Sequence, residues 1–435
     1  MEHKTRNYRL RQRLLAASIG GLMVAAAAPA LADSEIDALK RELAEQRKLI
    51  EQLLADRAAD KQVQAAAPAA AAPTGPAASP GLPAVTIYGI IDGGVEHITN
   101  VATATGSGSV NRMPSITATL PSRVGIRANK SFADGLAGVA TAELGYNSDD
   151  GTLGQGGRVF GRQLFAGVQT PYGTVTYGRQ WSMLFHAMFN TDILGPNVYA
   201  LGSMDPYLAS MRYDNSVAWR GDFGKLSFGA LYSTGRSVVA NGGAPASGNC
   251  PGEVAGSNQC RGWSVMGKYE TPVWGIAAAV DQQMGGTGAK AFFFNGTAPI
   301  DMGRAEDKDR RSNVGGYYKL GDLKLAGGWL GREVDTVSGT VKSTGYYLGA
   351  AYDLTPKITI DGGWNRMSND DQDRNADLYA LRAFYKLDKT VLAYLQLGHI
   401  SNSAKAAYSL SVGAGVAPPV GGTQTGTMLG LRYHF

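Results

Sequence analysis

The sequence predicts an all-β protein: a sixteen-stranded antiparallel β-barrel that crosses a membrane, preceded by a short α-helical coiled-coil segment. Three observations support this prediction. The chain opens with a segment typical of exported proteins, its long C-terminal region alternates apolar with small or polar side chains, and tight turns divide that region at intervals. These observations separate four regions, at residues 1–32, 33–64, 65–84 and 85–435.

Residues 1–32 have the three parts of a secretory signal peptide. The basic part contains Lys4, Arg6, Arg9, Arg11 and Arg13. An apolar stretch from Leu14 to Ala28 follows, and Ala30-Leu31-Ala32 forms a small-x-small cleavage motif. The alternative, an uncleaved membrane anchor, is less favoured because the apolar stretch is short. We therefore expect a mature chain that begins near Asp33.

The charge balance argues against one class of partner. The whole chain has a formal net charge of +5, of which the signal peptide carries +4 through its basic residues and Glu2. The mature chain is therefore nearly neutral, and the basic excess that nucleic-acid binding requires leaves with the signal. We expect no nucleic-acid partner and no cofactor.

Residues 33–64 predict a helix with a coiled-coil seam. Successive a and d heptad positions hold Ile36, Leu39, Leu43, Ile50 and Leu53, and Gln46 takes one d position. Because only three heptads are apolar, a lone surface helix remains the alternative. Residues 65–84 are almost entirely Ala and Pro without a charge, which predicts a semi-rigid linker.

Residues 85–435 predict the barrel strands. Seven tight turns define seven hairpins, and the first and last segments add two strands, giving sixteen. The turns are Ala133-Asp134-Gly135, Pro171-Tyr172-Gly173, Asp222-Phe223-Gly224, Pro272-Val273-Trp274, Gly321-Asp322, Thr355-Pro356-Lys357 and Leu387-Asp388-Lys389. A closed barrel leaves no unpaired strand edge in lipid, so both ends of this region should lie on the short-turn side.

Alternation supports the strand count. Leu226, Phe228 and Tyr232 alternate with Ser227 and Gly229, so one face suits lipid and the other suits water. A soluble β-sandwich would alternate as well. It would rarely reach so many strands with long loops on one side only, and it is the less favoured alternative.

Two cysteines, Cys250 and Cys260, lie ten residues apart in a Gly/Asn/Ser-rich stretch. An exported protein meets an oxidising compartment, so we predict a disulfide that closes this loop. Two independent thiols are the alternative. No His or acidic cluster nearby points to a metal site, and we expect none.

A barrel enzyme is a competing interpretation. It requires a histidine beside a serine or aspartate at one rim, and the mature chain offers only His97, His186, His399 and His434. None of them lies in a nucleophile motif, so we expect no enzymatic activity. A barrel with a mainly structural role, as a tether in the cell envelope, is a further alternative.

Several stretches in order resemble the trimeric general porins of Gram-negative outer membranes, most closely the β-proteobacterial type. They are Val85–Val95, Ser122–Ile126, Phe160–Val168, Gly173–Gln180, Arg212–Val217 and the terminal Phe435. The resemblance covers essentially all of residues 85–435. It implies a homotrimer in the outer membrane, in contact with lipid and lipopolysaccharide, that lets small hydrophilic solutes and ions diffuse passively through a water-filled channel. A helix at 33–64 would then lie in the periplasm.

The resemblance also implies a pore constriction. The third long loop, roughly Ser182 to Ala209, would fold into the barrel and carry Asp192 and Asp205. A ladder of arginines would face it, and the matching positions are Arg123, Arg162 and Arg212, with Arg127 on the same strand face as Arg123. Strand parity then places Val124, Ile126, Gln163 and Phe165 outward.

Four arginines against two aspartates predict a channel that leans towards anions, across which a transverse field orients permeating dipoles. The alternative is that these arginines are ordinary solvated charges on the barrel wall with no role in selectivity. A channel selective for small organic anions is the alternative for the function.

Two further sites follow from the resemblance. Arg179 shares parity with Val175 and Tyr177, so it should point outward and meet a latching loop of the neighbouring subunit, with Asp149 and Asp150 as counter-charges. At the C-terminus, Tyr433 and Phe435 resemble the signal that the outer-membrane assembly machinery recognises.

Overall fold

The computed structural model describes residues 83–115, 117–236, 250, 252–411 and 415–435. The chain divides into two units, Met1–Thr74 and Gly75–Phe435, and the described residues all belong to the second. The predicted signal peptide, the coiled-coil segment and nearly all of the linker lie outside the described residues.

The described residues form antiparallel strands almost throughout. The strands are β1 (Ala84–Thr103), β2 (Gly106–Arg112), β3 (Arg123–Ala133), β4 (Leu136–Gly145), β5 (Gln163–Thr170), β6 (Gly173–Trp181), β7 (Arg212–Phe223), β8 (Leu226–Ser233), β9 (Gly262–Glu270), β10 (Trp274–Met284), β11 (Lys290–Ala291), β12 (Ile300–Asp301), β13 (Lys308–Leu320), β14 (Leu323–Thr336), β15 (Gly339–Thr355), β16 (Ile358–Asn369), β17 (Arg374–Lys386), β18 (Val391–Asn402) and β19 (Gln424–His434).

The helical elements are short. They are α1 (Met183–Met188), a helical turn at Gly154–Gly157, and 3-10 turns at Leu201–Ser203 and Asp370–Gln372. No helix in the described part of the chain is long and apolar enough to cross a membrane.

The sheet closes on itself because β1 pairs with both ends of the strand order. On one side β1 pairs with β19 from Ile90↔His434 to Ile98↔Gly426. On its other side it pairs first with β3 and then with β2. Strands β2 and β3 therefore occupy one barrel position, interrupted by residues 113–122.

Counting β2 and β3 as one, the described residues form a closed barrel of sixteen strands, and β11 and β12 make a separate small sheet. The predicted strand number is confirmed. All seven predicted tight turns join neighbouring strands, and both barrel ends, at Ala84 and His434, lie on the short-turn side.

Alternating burial explains how these sequences form barrel strands. On β19, Leu429 and Leu431 are exposed by 65% and 57%, whereas Met428 is fully buried and Arg432 is 9% exposed. The exposed apolar residues form the outer surface, where lipid would solvate them, and the alternate residues face the lumen.

The packed core lies inside the barrel. Residues 182–211, which we call the inward loop, connect β6 to β7 and fold into the lumen instead of extending away from it. Its side chains Met183, Leu184, Leu194 and Tyr199 are each at most 2% exposed and pack against the inner wall. Burial of these apolar groups holds the loop in place.

Glycines in the wall allow the inward loop to approach closely. A Cβ added at Gly349 would lie 2.8 Å from Cβ of Ile193, and one added at Gly398 would lie 2.6 Å from a ring carbon of Tyr199. The lumenal face at these positions therefore has room for the loop only because it lacks side chains.

The structure joins Cys250 and Cys260 in a disulfide, with Cα atoms 5.7 Å apart. Both cysteines are nearly fully buried in a small apolar cluster that includes Phe293 and Met302. The bridge therefore closes a loop within the β8–β9 connection.

We predict that protein isolated from outer membranes contains the bridge. Mass spectrometry of an unreduced proteolytic digest should show one peptide pair joined by Cys250 and Cys260. Reduction of the same sample before digestion is the control, and it should separate the pair. Free thiols at both positions in the unreduced sample would contradict the prediction.

Candidate functional site

The inward loop narrows the barrel and is tied to the wall at several points. Its ends are joined by the Ser182 N–H, which donates to the carbonyl of Met211 over 2.9 Å. The Met183 N–H donates to the Ser264 hydroxyl on β9, and the hydroxyls of Thr191 and Tyr347 lie 3.1 Å apart. The loop therefore crosses the lumen from β9 to β15.

The four predicted arginines do come together on one part of the wall, and we call them the arginine cluster. Nε of Arg162 donates to Oε1 of Glu143 over 2.8 Å, and Nε of Arg123 lies 3.6 Å from Oε2. The Arg212 guanidinium lies 3.5 Å from the ring centre of Trp181.

The members of the cluster differ in exposure. Arg162 and Arg212 are only 4% and 5% exposed, so they act on a solute through their field. Arg123 is partly exposed, and Arg127 is exposed to the lumen while its guanidinium lies 4.2 Å from the ring centre of Tyr88. These last two are the arginines that a passing ion can contact.

Glu143 is the carboxylate that the sequence interpretation missed. It lies on β4 opposite Gly125, between the register positions of Arg123 and Arg127, and its Oε2 also accepts from the Tyr88 hydroxyl over 2.8 Å. The alternation along β4 contained the signal, because this acidic side chain occupies a lumenal position of a membrane strand.

The parity assigned to Gln163 and Phe165 was wrong. Gln163 is opposite Glu143 in the β4–β5 register and its amide donates to the same carboxylate over 3.4 Å, whereas Leu164 is exposed on the outer face. The reason is that Arg162 precedes the first residue of β5, so strand alternation does not extend to it. Ile126 does lie on the outer face, 44% exposed.

Asp205 does not oppose the arginine cluster. It forms two hydrogen bonds with Arg311 on β13, of 2.8 and 2.9 Å, across 106 residues of sequence. Arg311 also donates to Asp309, which in turn accepts from Arg332. This network of two arginines and two aspartates is almost completely buried and has no net charge, so it anchors the inward loop and adds nothing to selectivity.

The carboxylate of Asp192 also has hydrogen-bond partners within the chain. Its Oδ1 accepts from the backbone N–H groups of Leu194 and Gly195, over 3.1 and 3.0 Å, which fixes a turn in the inward loop. Beside this turn, Arg382 on β17 donates to the carbonyls of Ile193 and Leu194 and pairs with Asp361. The predicted opposition of loop carboxylates to wall arginines is therefore replaced by one glutamate within the arginine cluster.

Arg179 points outward as predicted by parity, since it is paired with Leu164. Its counter-charge is in the same chain: Nη1 donates to Oδ1 of Asp214 over 2.5 Å, and Arg158 binds the other oxygen. Asp149 and Asp150 stay predicted partners from the latching loop of a neighbouring subunit. A latch across a subunit interface stays a prediction.

The two loop aspartates also have local partners. Asp149 accepts from the Ser115 hydroxyl over 2.9 Å. Asp150 accepts from the backbone N–H and the hydroxyl of Thr152, and these bonds hold the pKa of Asp150 below its usual value.

The C-terminal residues take part in closing the barrel. Phe435 exchanges two backbone hydrogen bonds with Gly89, and its ring lies over that glycine, where a Cβ would clash with it. Tyr433 and Phe435 have ring centres 5.8 Å apart and are both exposed on the outer face. Recognition of this pair by the assembly machinery stays a prediction.

The histidines form no catalytic arrangement among the residues described. His97 contacts Asn111, His186 contacts Arg220, and His399 contacts Thr425. Within the same residues, no group of three or more His, Cys, Asp or Glu side chains is placed to hold a metal ion.

Comparison by sequence finds proteins related to this chain. A family profile described as Gram-negative porin matches residues 63–405. An outer membrane porin protein of Bordetella pertussis is 25% identical over 381 residues, which cover 76% of this chain and 93% of that protein.

Two solved structures share the fold. The anion-selective porin from Comamonas acidovorans superposes with a TM-score of 0.66 at 19% identity, covering 81% of this chain and all of that one. The trimer form of OmpT, an outer membrane protein of Vibrio cholerae, superposes with a TM-score of 0.56 at 17% identity, again over 81% of this chain and all of the other.

The buried network at Asp205 yields a stability prediction. Asp205→Ala leaves the buried Arg311 with Asp309 as its one remaining carboxylate, so the barrel should lose about 3 kcal/mol of unfolding free energy. Denaturant unfolding in detergent or lipid vesicles measures the loss, and a detached inward loop should also make the channel current noisier.

Glu306→Ala is the matched control. Its pair with Arg304 is 3.5 Å long and exposed on both sides, so its loss should change the unfolding free energy by less than about 1 kcal/mol. Equal effects of the two substitutions would show that Asp205 does not anchor the loop.

Proposed function

This chain belongs to the Gram-negative porin family and forms a channel in the outer membrane, and on that premise we propose that the channel prefers small anions to cations. The observation that carries the proposal is the composition of the arginine cluster. Among the described residues, the four arginines of the cluster have one carboxylate between them, Glu143, which leaves a local net charge of +3, because Asp92 on the adjoining β1 is paired with Arg432. The predicted balance, with two aspartates in opposition, is replaced by a more positive one.

The arginine cluster can act on a passing ion because it lies on the lumenal wall beside the inward loop. Only charges within about a Debye length, roughly 8 Å at physiological salt, influence an ion strongly in a wet pore. The buried network at Asp205 is neutral, and Asp361 is paired with Arg382. The uncompensated positive charge near the inward loop should therefore concentrate anions and repel cations.

The field differs from the transverse field that the sequence suggested. Positive and negative groups of the cluster share one wall, and the part of the inward loop next to that wall presents Phe185 and Phe189. A one-sided positive wall beside an apolar surface attracts anions. It orients dipolar solutes less strongly than two opposed charged walls would.

We also propose that the protein is a homotrimer whose segment 33–64 is a periplasmic coiled coil. The shared fold with the trimer form of Vibrio cholerae OmpT supports a trimer, and the heptad positions support the helix. The exposed apolar belt implies contact with lipid and lipopolysaccharide, and the terminal Tyr433 and Phe435 are the proposed signal for the assembly machinery.

The test of anion preference is a reversal potential in planar bilayers under a salt gradient. Replacing Arg123 and Arg162 together with Ala lowers the cluster charge from +3 to +1, so the reversal potential should move towards cations and single-channel conductance should rise. Glu143→Gln should move the potential in the opposite direction. Both shifts should shrink as salt increases, because screening shortens the field.

Asp370→Asn with Asp371→Asn is the control, because these residues lie in an outer loop between β16 and β17 and should change selectivity much less. A clearly cation-selective wild-type channel, or an arginine double variant with unchanged selectivity, would refute the proposal. Absence of any conductance would favour the structural-tether alternative.

The coiled-coil proposal has its own test. Deleting residues 34–63 should lower the temperature at which the trimer dissociates in detergent while leaving conductance nearly unchanged, because the segment lies outside the barrel sequence. Within the full chain, Leu43→Ser with Ile50→Ser at a positions should weaken the trimer. Arg41→Ser with Lys48→Ser, at outward f positions, should not. Correctly folded trimers that lose conductance on the deletion would contradict this arrangement.

A further inference from the structure

A row of three aromatic side chains runs from the end of β6 into the inward loop. Trp181, at the end of β6, stacks on Phe185 with ring centres 3.9 Å apart and an interplanar angle of 13°. Phe185 is followed by Phe189 at 5.9 Å. The row begins where the Arg212 guanidinium lies over Trp181, so it runs from the arginine cluster along α1. We call it the aromatic row.

The far end of the row is open to the lumen. Phe189 is 69% exposed, and because the inward loop lies inside the barrel, the exposed face meets the lumen and not lipid. Its neighbours Met188 and Leu184 are buried, so the apolar residues of this segment are otherwise well packed. The stacked row therefore ends in an aromatic face that a solute in the lumen can contact.

The row ends at a cavity of about 390 Å³, which is within the range of about 300–1,000 Å³ typical of small-molecule sites. Phe185, Phe189, Leu208 and Met211 give it an apolar side. Strands β14 to β16 supply the opposite side, including Lys324.

The cavity lining contains one cationic side chain, Lys324, and two carboxylates that have partners within the chain. Asp361 is paired with Arg382, and Asp192 accepts two backbone N–H groups. Lys324 is partly exposed, and its ammonium lies 5.2 Å from the ring centre of Tyr317. Asp192 is partly exposed as well, but Lys324 is the cationic lining group that a carboxylate can bind, and the arginine cluster adds a positive field at the other end of the row.

We propose that the aromatic row and this cavity form a subsite for small aromatic carboxylates. The ring of the solute would stack on Phe189 and Phe185, and its carboxylate would bind Lys324 after entering through the field of the arginine cluster. A flat ring offers phenylalanine an offset or edge-to-face contact that an aliphatic ring of the same size does not. The proposal rests on the anion preference proposed above and names a substrate class for the same channel.

The test compares benzoate with cyclohexanecarboxylate, which has the same charge and a similar size but no aromatic face. Each is added to full-length wild-type channels in planar bilayers, and the concentration that halves the chloride current is measured. Benzoate should block at the lower concentration. In Phe189→Leu channels its half-blocking concentration should rise about threefold to tenfold, while that of cyclohexanecarboxylate should change little.

Two further variants separate the contribution of the Lys324 charge from that of the aromatic surface. Lys324→Gln should weaken block by both carboxylates, because it removes charge and leaves the aromatic surface. Phe228→Leu, on the outer face of β8, is the matched control and should leave both values unchanged. Equal block by the two carboxylates in the wild type, or an unchanged benzoate value in Phe189→Leu, would overturn the subsite.

Selectivity for chloride over potassium, measured in the same channels before either carboxylate is added, distinguishes this failure from failure of the proposed function. An anion-selective channel without benzoate preference overturns the subsite alone. A cation-selective channel overturns the anion preference on which the subsite rests.

Discussion

The pairing of every backbone N–H and C=O group that faces lipid is the constraint on which the rest of this structure depends. It requires β1 to meet β19, which the register from Ile90 to Ile98 achieves, and it brings Phe435 against Gly89 at the seam. A closed sheet of sixteen strands, counted over the described residues, encloses more space than wall side chains can fill. The inward loop and residues 117–122 occupy part of that space.

Arginine–carboxylate pairs perform two different tasks inside the barrel. Asp205 with Arg311 and Asp361 with Arg382 are balanced and buried, and they hold the inward loop to the wall. Glu143, by contrast, is shared among more arginines than it can neutralise. The same chemistry therefore stabilises the loop where charges balance, and it creates an attractive field for anions where they do not.

The apolar surface of the inward loop complements that field. Stacking connects Arg212, Trp181 and Phe185, so a cationic wall continues into an aromatic surface without a gap. A channel with this composition attracts anions over a distance of about a Debye length and can then sort them by what their apolar parts contact. Ion selectivity and solute preference would thus depend on different residues and can be altered separately.

The sequence by itself determined the barrel, its strand number and the positions of its tight turns, because alternation and turn chemistry are local properties. It also identified the four arginines, which do gather on one wall. Only the tertiary structure decided which charges are neutralised. Asp205 meets a partner 106 residues away, Arg179 meets Asp214 in its own chain, and the start of β5 sets the facing of Gln163. Pairings of this kind depend on the register of the strands and on the path of the loops. Neither the register nor the path can be read directly from the order of the amino acids.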